Sequence, residues 1–313
     1  MAEIVLIHGM AQEQKSADSL EGEWLPDLAG GVRTAGDRDL ADALWRNFRP
    51  GHHEARMAFY GDLFLKPGRM GAEERVAELS EVQQDLAEAL AEEWLRAARD
   101  RAPDPGDRRA ARRVLHDIDT GRTGEPPGRQ GGRRLARPAV KGLARLSWFG
   151  RAGMAAAERL VNRSLVQVTR YMTEPGIYAE VQRRVAELVG PETKAIVGHS
   201  LGSVVAYEAA LRLERELPLL LTLGSPLGLR TIVHDRLAGD HRAPDTVRSW
   251  VNLVDRDDLV AAEPDLAKCF ADPRGILVSD WTLDNGVENP HSGRAYLTKR
   301  QTGLAVAEAL AAD

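Results

Sequence analysis

Five consecutive residues constrain this chain more than any other feature: Gly198-His199-Ser200-Leu201-Gly202. They match Gly-x-Ser-x-Gly, a pattern expected by chance in only about 0.1 copies per chain of this glycine and serine content. An apolar stretch, Ala195-Ile-Val197, enters the motif, and a helically periodic apolar stretch, Leu201–Leu213, leaves it. Strand, sharp turn and helix in that order predict a serine whose hydroxyl is pushed out at the top of the turn. Small residues two before and two after the serine let strand and helix approach closely. The helix N-terminus adds backbone N–H groups and a positive dipole end where negative charge would develop. The plainer alternative is a serine that merely N-caps a helix.

A nucleophilic serine needs a base, a carboxylate to orient the base, and donors for an oxyanion. The histidines after Ser200 are His234, His241 and His291. Only His291 falls between the last expected strand and the closing helix, so His291 is the expected base. His234 and His241 lie in a polar stretch and are expected to be solvated, and His199 to pack or hydrogen-bond locally. For the acid, Asp255, Asp257 and Asp258 all follow the apolar stretch Trp250–Val254. Asp258 is ranked first, Asp255 second and Asp257 last. The others then cap the following turn. The expected oxyanion donors are the backbone N–H groups of Leu201, directly after the nucleophile, and of Met10, in the loop after Leu6-Ile7-His8-Gly9. His8 itself is expected to brace that loop.

The rest of the chain supports a layered fold. Ile4–Ile7 reads as a buried strand, Arg56–Phe64 as a second, and 72–99 as a helix. Further strands are expected at 195–197, 217–223, 247–254 and 276–283, with helices between them and a closing helix over 294–312. The stretch from about residue 10 to residue 37 reads as loop. Apolar strands alternating with helices predict an α/β fold: a mostly parallel sheet of about six strands with helices on both faces.

At this point the residues resemble the α/β-hydrolase superfamily of serine hydrolases. Leu6-Ile-His-Gly9, Gly198–Gly202, Asp255–Asp258 and His291 carry the resemblance. More narrowly, His8-Gly-Met10, Val251-Asn-Leu-Val-Asp-Arg-Asp-Asp-Leu-Val-Ala261 and His291 with Ala295-Tyr-Leu297 are similar to bacterial lipase/esterase-type proteins related to GPI-inositol-deacylase-like hydrolases. The resemblance covers residues 1–66 and 160–313 and implies the α/β-hydrolase fold. It also implies cleavage of a carboxylic ester or thioester through an acyl-enzyme, with no cofactor and no metal. An acyltransferase or cyclase using the same triad is the alternative, and a non-catalytic binding protein on the same fold comes third.

The departure is an insertion. Some 100 residues are surplus between His8 and Ser200, expected as a helical cap or lid over 67–159 with a mobile loop at 119–134. The charge is uneven there. The whole chain is formally −5. Residues 73–100 carry 9 acids and 3 bases, and 101–151 carry 13 bases and 5 acids. The two blocks are expected to fold against each other over the active-site mouth. Leu143, Leu146, Trp148 and Phe149 would serve there as core or as pocket lining. Arginine density without interleaved aromatics argues against nucleic-acid binding. No apolar run is long enough to span a membrane, although peripheral contact is left open. With one cysteine, Cys269, and no signal-like N-terminus, a cytoplasmic protein is expected. Substrate, chain length and oligomeric state are not fixed by the sequence.

Overall fold

The computed structural model describes residues 1–46, 49–65, 75–121, 138–150, 154–229, 234–261, 263–286 and 289–312. The expected mobile loop at 119–134 falls mostly outside them. The chain divides into two compact units, one formed by Met1–Leu63 with Pro175–Asp313 and the other by Phe64–Glu174.

The first unit is built on β1 (Ile4–Ile7). After it come α1 (Ala17–Ala35), α2 (Arg38–Leu44), a two-residue antiparallel ribbon of β2 (Trp45–Arg46) and β3 (Arg49–Pro50), and β4 (Ala55–Ala58). The second unit then contributes α3 (Glu81–Arg101), α4 (Pro105–Asp119), α5 (Pro138–Leu143), α6 (Ser147–Gly150) and α7 (Met154–Thr173). The first unit resumes with α8 (Pro175–Ala186), β5 (Ala195–His199), α9 (Leu201–Ala210), β6 (Leu217–Leu223), β7 (Val247–Asp255), β8 (Leu277–Leu283), α10 (Gly293–Leu297) and α11 (Arg300–Ala311).

Six strands form one sheet in the order β4-β1-β5-β6-β7-β8, every pair parallel. The protein is therefore an α/β sheet flanked by helices. All four residues of β1 and all five of β5 are buried, as central parallel strands covered on both faces must be. One face carries an apolar cluster in which Leu20, Trp24, Leu28 and Val32 of α1 meet Val197, Leu221 and Leu253 of the strands and Val306 of α11. Helix α9 is buried along its whole length and packs on β5 and β6. The register aligns the strand ends that matter: Ile7 pairs with Gly198, and His199 with Leu223.

Several expectations change. The region expected as loop up to residue 37 holds α1, which starts with a reciprocal Ser16–Ser19 capping box and stops at Gly36. The second strand is shorter than expected, ending at Ala58, with a single 3-10 turn at Gly61–Phe64 after it. The helix expected from residue 72 begins at Glu81, where Ser80 caps it, and its Val82 is exposed. Helix α4 lies between the helix expected over 72–99 and the loop expected from 119, where no separate helix is expected. Asp104 caps it and Pro105 starts it.

The second unit extends to Glu174, beyond the expected boundary near 160, because α7 packs on α3 and α5. Within this unit the acidic and basic blocks do meet. Glu88 of α3 accepts hydrogen bonds from the N–H groups of Ala139 and Val140 at the start of α5 (2.8 and 3.4 Å). Within the basic block itself, Asp107 of α4 does the same for Ser147 and Trp148 at the start of α6 (2.7 and 3.0 Å). Acidic residues thus hold helix N-termini of the basic block, where the unpaired N–H groups and the dipole favour them. Leu143, Leu146 and Phe149 are buried with Trp94, so this stripe is core. Among the described residues, no helix is long and apolar enough to cross a membrane.

Candidate active site

Ser200 sits between the last residue of β5 and the first of α9, with φ 54° and ψ −128°. A non-glycine residue rarely adopts this conformation, and it costs of the order of 1–3 kcal/mol. The turn is held from several sides. The Ser200 N–H donates to the Leu223 carbonyl (2.9 Å), and its own carbonyl accepts from the Ser203 N–H (2.9 Å) and hydroxyl (2.5 Å). The motif's second glycine is required by close approach. A Cβ at Gly202 would stand 2.3 Å from the Ile7 carbonyl oxygen, so only glycine lets α9 cross the end of β1.

His291 Nε2 lies 2.9 Å from Ser200 Oγ, and His291 Nδ1 lies 2.8 Å from Asp258 Oδ2. The carboxylate fixes the proton on Nδ1 and leaves the Nε2 lone pair facing the serine hydroxyl. Asp258 is completely buried, and its other oxygen accepts from the Val260 N–H (3.0 Å). Burial alone would raise its pKa. The His291 charge and the hydrogen bonds from His291 and Tyr296 outweigh burial and hold it below the usual carboxylate value.

The neighbouring acids have other tasks. Asp255 accepts from the N–H of Asp257 (2.7 Å) and from that of Asn285, which ties the end of β7 to the segment after β8. Burial raises the Asp255 pKa. Asp257 follows on the same turn. Among the described residues, the carboxylate that meets His291 is that of Asp258.

The loop after β1 lies against Ser200, since a Cβ at Gly9 would be 2.8 Å from Ser200 Cβ. Met10 follows in this loop and is buried. Ala11, next to it, has φ 60°, a left-handed conformation that turns the chain sharply. Leu201 is the first residue of α9, so its N–H has no acceptor within the helix. His8 braces the loop. Its Nε2 accepts from the Tyr60 N–H (3.1 Å), its Nδ1–H donates to the Gly9 carbonyl (2.7 Å), and its ring stacks on Tyr60. Burial pushes its pKa down to about 4, which keeps it neutral.

His199 is likewise buried and neutral, its pKa lowered to about 3 chiefly by burial. Its Nε2–H donates to the His291 carbonyl (2.9 Å), so the residue before Ser200 holds the backbone of His291. His234, expected in solvent, is buried instead. Its Nε2–H donates to the Cys269 carbonyl (2.7 Å), and its ring stacks on His241 at 3.9 Å. His241 is half-buried.

One participant escaped sequence reasoning. Tyr296 of α10 donates its hydroxyl proton to Asp258 Oδ2 (2.8 Å) and accepts from the Asp255 N–H (2.7 Å). The resemblance includes Tyr296 in Ala295-Tyr-Leu297 but assigns it no role; only the fold brings its hydroxyl to Asp258. Among the described residues, no group of three or more histidine, cysteine or acidic side chains is placed to hold a metal ion. Comparison with protein-family profiles, with curated proteins and with solved structures finds no match.

Proposed function

We propose that this chain is a serine hydrolase of the α/β-hydrolase type that cleaves a carboxylic ester or thioester through an acyl-enzyme. The observation that carries the reading is the continuous relay Ser200 Oγ, His291 Nε2, His291 Nδ1, Asp258 Oδ2, with both hydrogen bonds under 3 Å. His291 takes the Ser200 proton as Oγ attacks the substrate carbonyl carbon. The oxyanion is held by the Leu201 and Met10 N–H groups. Collapse expels the alcohol or thiol, which leaves with the proton from His291. Water, deprotonated by His291, then attacks the acyl-serine and returns the free acid and Ser200. Asp258 keeps His291 in the tautomer that accepts at Nε2 and stabilises the imidazolium. The single cysteine fits a cytoplasmic place of action.

Hydrolysis of p-nitrophenyl esters of increasing acyl length tests the proposal. The wild-type protein is expected to release p-nitrophenol with a preference for one range of chain lengths, and Ser200→Ala and His291→Ala to fall to background. Equal rates for wild type and Ser200→Ala would overturn it. Added alcohols or amines that divert the acyl group without raising free acid would assign the chain to acyl transfer.

A further inference from the structure

The relay does not end at Asp258. Tyr296 is fully buried, and its hydroxyl has one proton to give. The Asp255 N–H occupies the acceptor side of the oxygen at 2.7 Å, so the proton is directed at Asp258 Oδ2, 2.8 Å away. This is the same carboxylate oxygen that accepts from His291 Nδ1. The ring is held at its other end as well. Its backbone N–H bonds to Ser292, directly after the base, and its carbonyl accepts from the Thr302 hydroxyl (2.7 Å).

We infer that Tyr296 is a positioning residue of the relay: its hydroxyl fixes the Asp258 carboxylate and, by sharing that oxygen's charge, sets the basicity of His291. The inference rests on the hydrolase reading above. The ionisable groups around the phenol are Asp255 at the end of β7, Asp258 in the turn after it, His199 from the end of β5, and His291. Burial and the two aspartates hold the phenol well above its ordinary pKa, so it remains a donor across the neutral range. An oxygen with two donors spreads its charge over both. With the Tyr296 donor removed, that oxygen would stabilise the imidazolium more and hold the carboxylate less firmly.

The test is the pH profile of kcat/KM on a p-nitrophenyl ester, run on wild type, Tyr296→Phe, and a protein carrying 3-fluorotyrosine at position 296. Tyr296→Phe is expected to move the acid limb to higher pH by about half a unit and, as loss of one hydrogen bond to a charged group, to lower kcat by about 10–100-fold with little change in KM. Fluorotyrosine keeps the ring and strengthens the donor, so it should move the limb to lower pH. If Tyr296→Phe does not fold, the fluorotyrosine arm decides. An active wild type whose acid limb stays fixed in the fluorotyrosine protein would overturn the inference alone. An inactive wild type would overturn the hydrolase reading beneath it.

Discussion

A single missing methyl group separates Gly224 from Asp258: a Cβ at position 224 would stand 2.7 Å from Asp258 Oδ2 and 3.1 Å from His291 Nδ1. Gly224 directly follows β6, with φ +53°, and its N–H donates to the Leu253 carbonyl (2.9 Å). The end of β6 therefore forms the wall behind Asp258 and His291. Gly224→Ala is expected to cost about 1–2 kcal/mol from the left-handed φ alone. It should cost far more in kcat, by displacing both side chains. Paired thermal melts and ester kinetics check this. A stability loss without a kinetic loss would contradict the placement of Asp258 against this wall.

The two aspartates should separate by experiment. Asp258→Asn keeps the shape but reverses the hydrogen-bond preference at His291 Nδ1, and kcat is expected to fall about 10⁴-fold. Asp255→Asn weakens the tie between the end of β7 and Asn285, so its effect should appear mainly as lower stability. Kinetics and urea unfolding of the two variants, side by side, decide the assignment. A larger kcat loss for Asp255→Asn reverses it.

Two buried histidines make the fold acid-sensitive. The folded pKa values of His8 and His199, about 4 and about 3, lie below the ordinary histidine value of 6.5. Below pH 6.5 the unfolded chain therefore binds protons that the folded chain refuses, and stability falls as pH falls. Each unit of difference is worth about 1.4 kcal/mol, so His8 alone withdraws on the order of 3 kcal/mol by pH 4. Urea unfolding midpoints at pH 7, 6 and 5 should decrease in that order, and less steeply in His8→Gln. Midpoints independent of pH across this window would contradict neutral burial of these rings.

In the second unit, Asp107→Ala removes the acceptor of the Ser147 and Trp148 N–H groups and of the Ser147 hydroxyl (2.8 Å). The loss is expected at about 0.5–2 kcal/mol, the usual worth of a helix N-cap. Hydrogen exchange over 138–150 should quicken in the variant. Unchanged protection there would show that apolar packing of Leu143, Leu146 and Phe149 holds these helices unaided.

The candidate site was largely legible in the sequence, because a strand, a glycine-flanked serine and a helix leave the serine few conformations. The order of strands then singled out His291. What escaped is instructive. Helix α1 was hidden by Pro26 and by Gly30-Gly31, which weaken helix propensity. Its stability comes from Leu20, Trp24, Leu28 and Val32 packed on the sheet. Helix α4 was hidden because the apolar side chains Ala111 and Leu115 provide most of its buried face amid arginines. The residues before Ser80 follow helical spacing yet stop at a 3-10 turn, since the Ser80 cap starts the helix afresh. Tyr296 and His199 join the site through contacts spanning 38 and 92 residues, which no local pattern encodes.

The central claim is that Ser200 is a nucleophile activated by His291. A fluorophosphonate probe reacts with such a serine and forms a stable covalent adduct. Intact-mass analysis of wild type, Ser200→Ala and His291→Ala after exposure at neutral pH tests the claim most directly. One adduct is expected on wild type, mapped to the peptide containing Ser200, and none on either variant. Folded wild-type protein that takes up no probe, or a Ser200→Ala variant that takes it up equally, would contradict it.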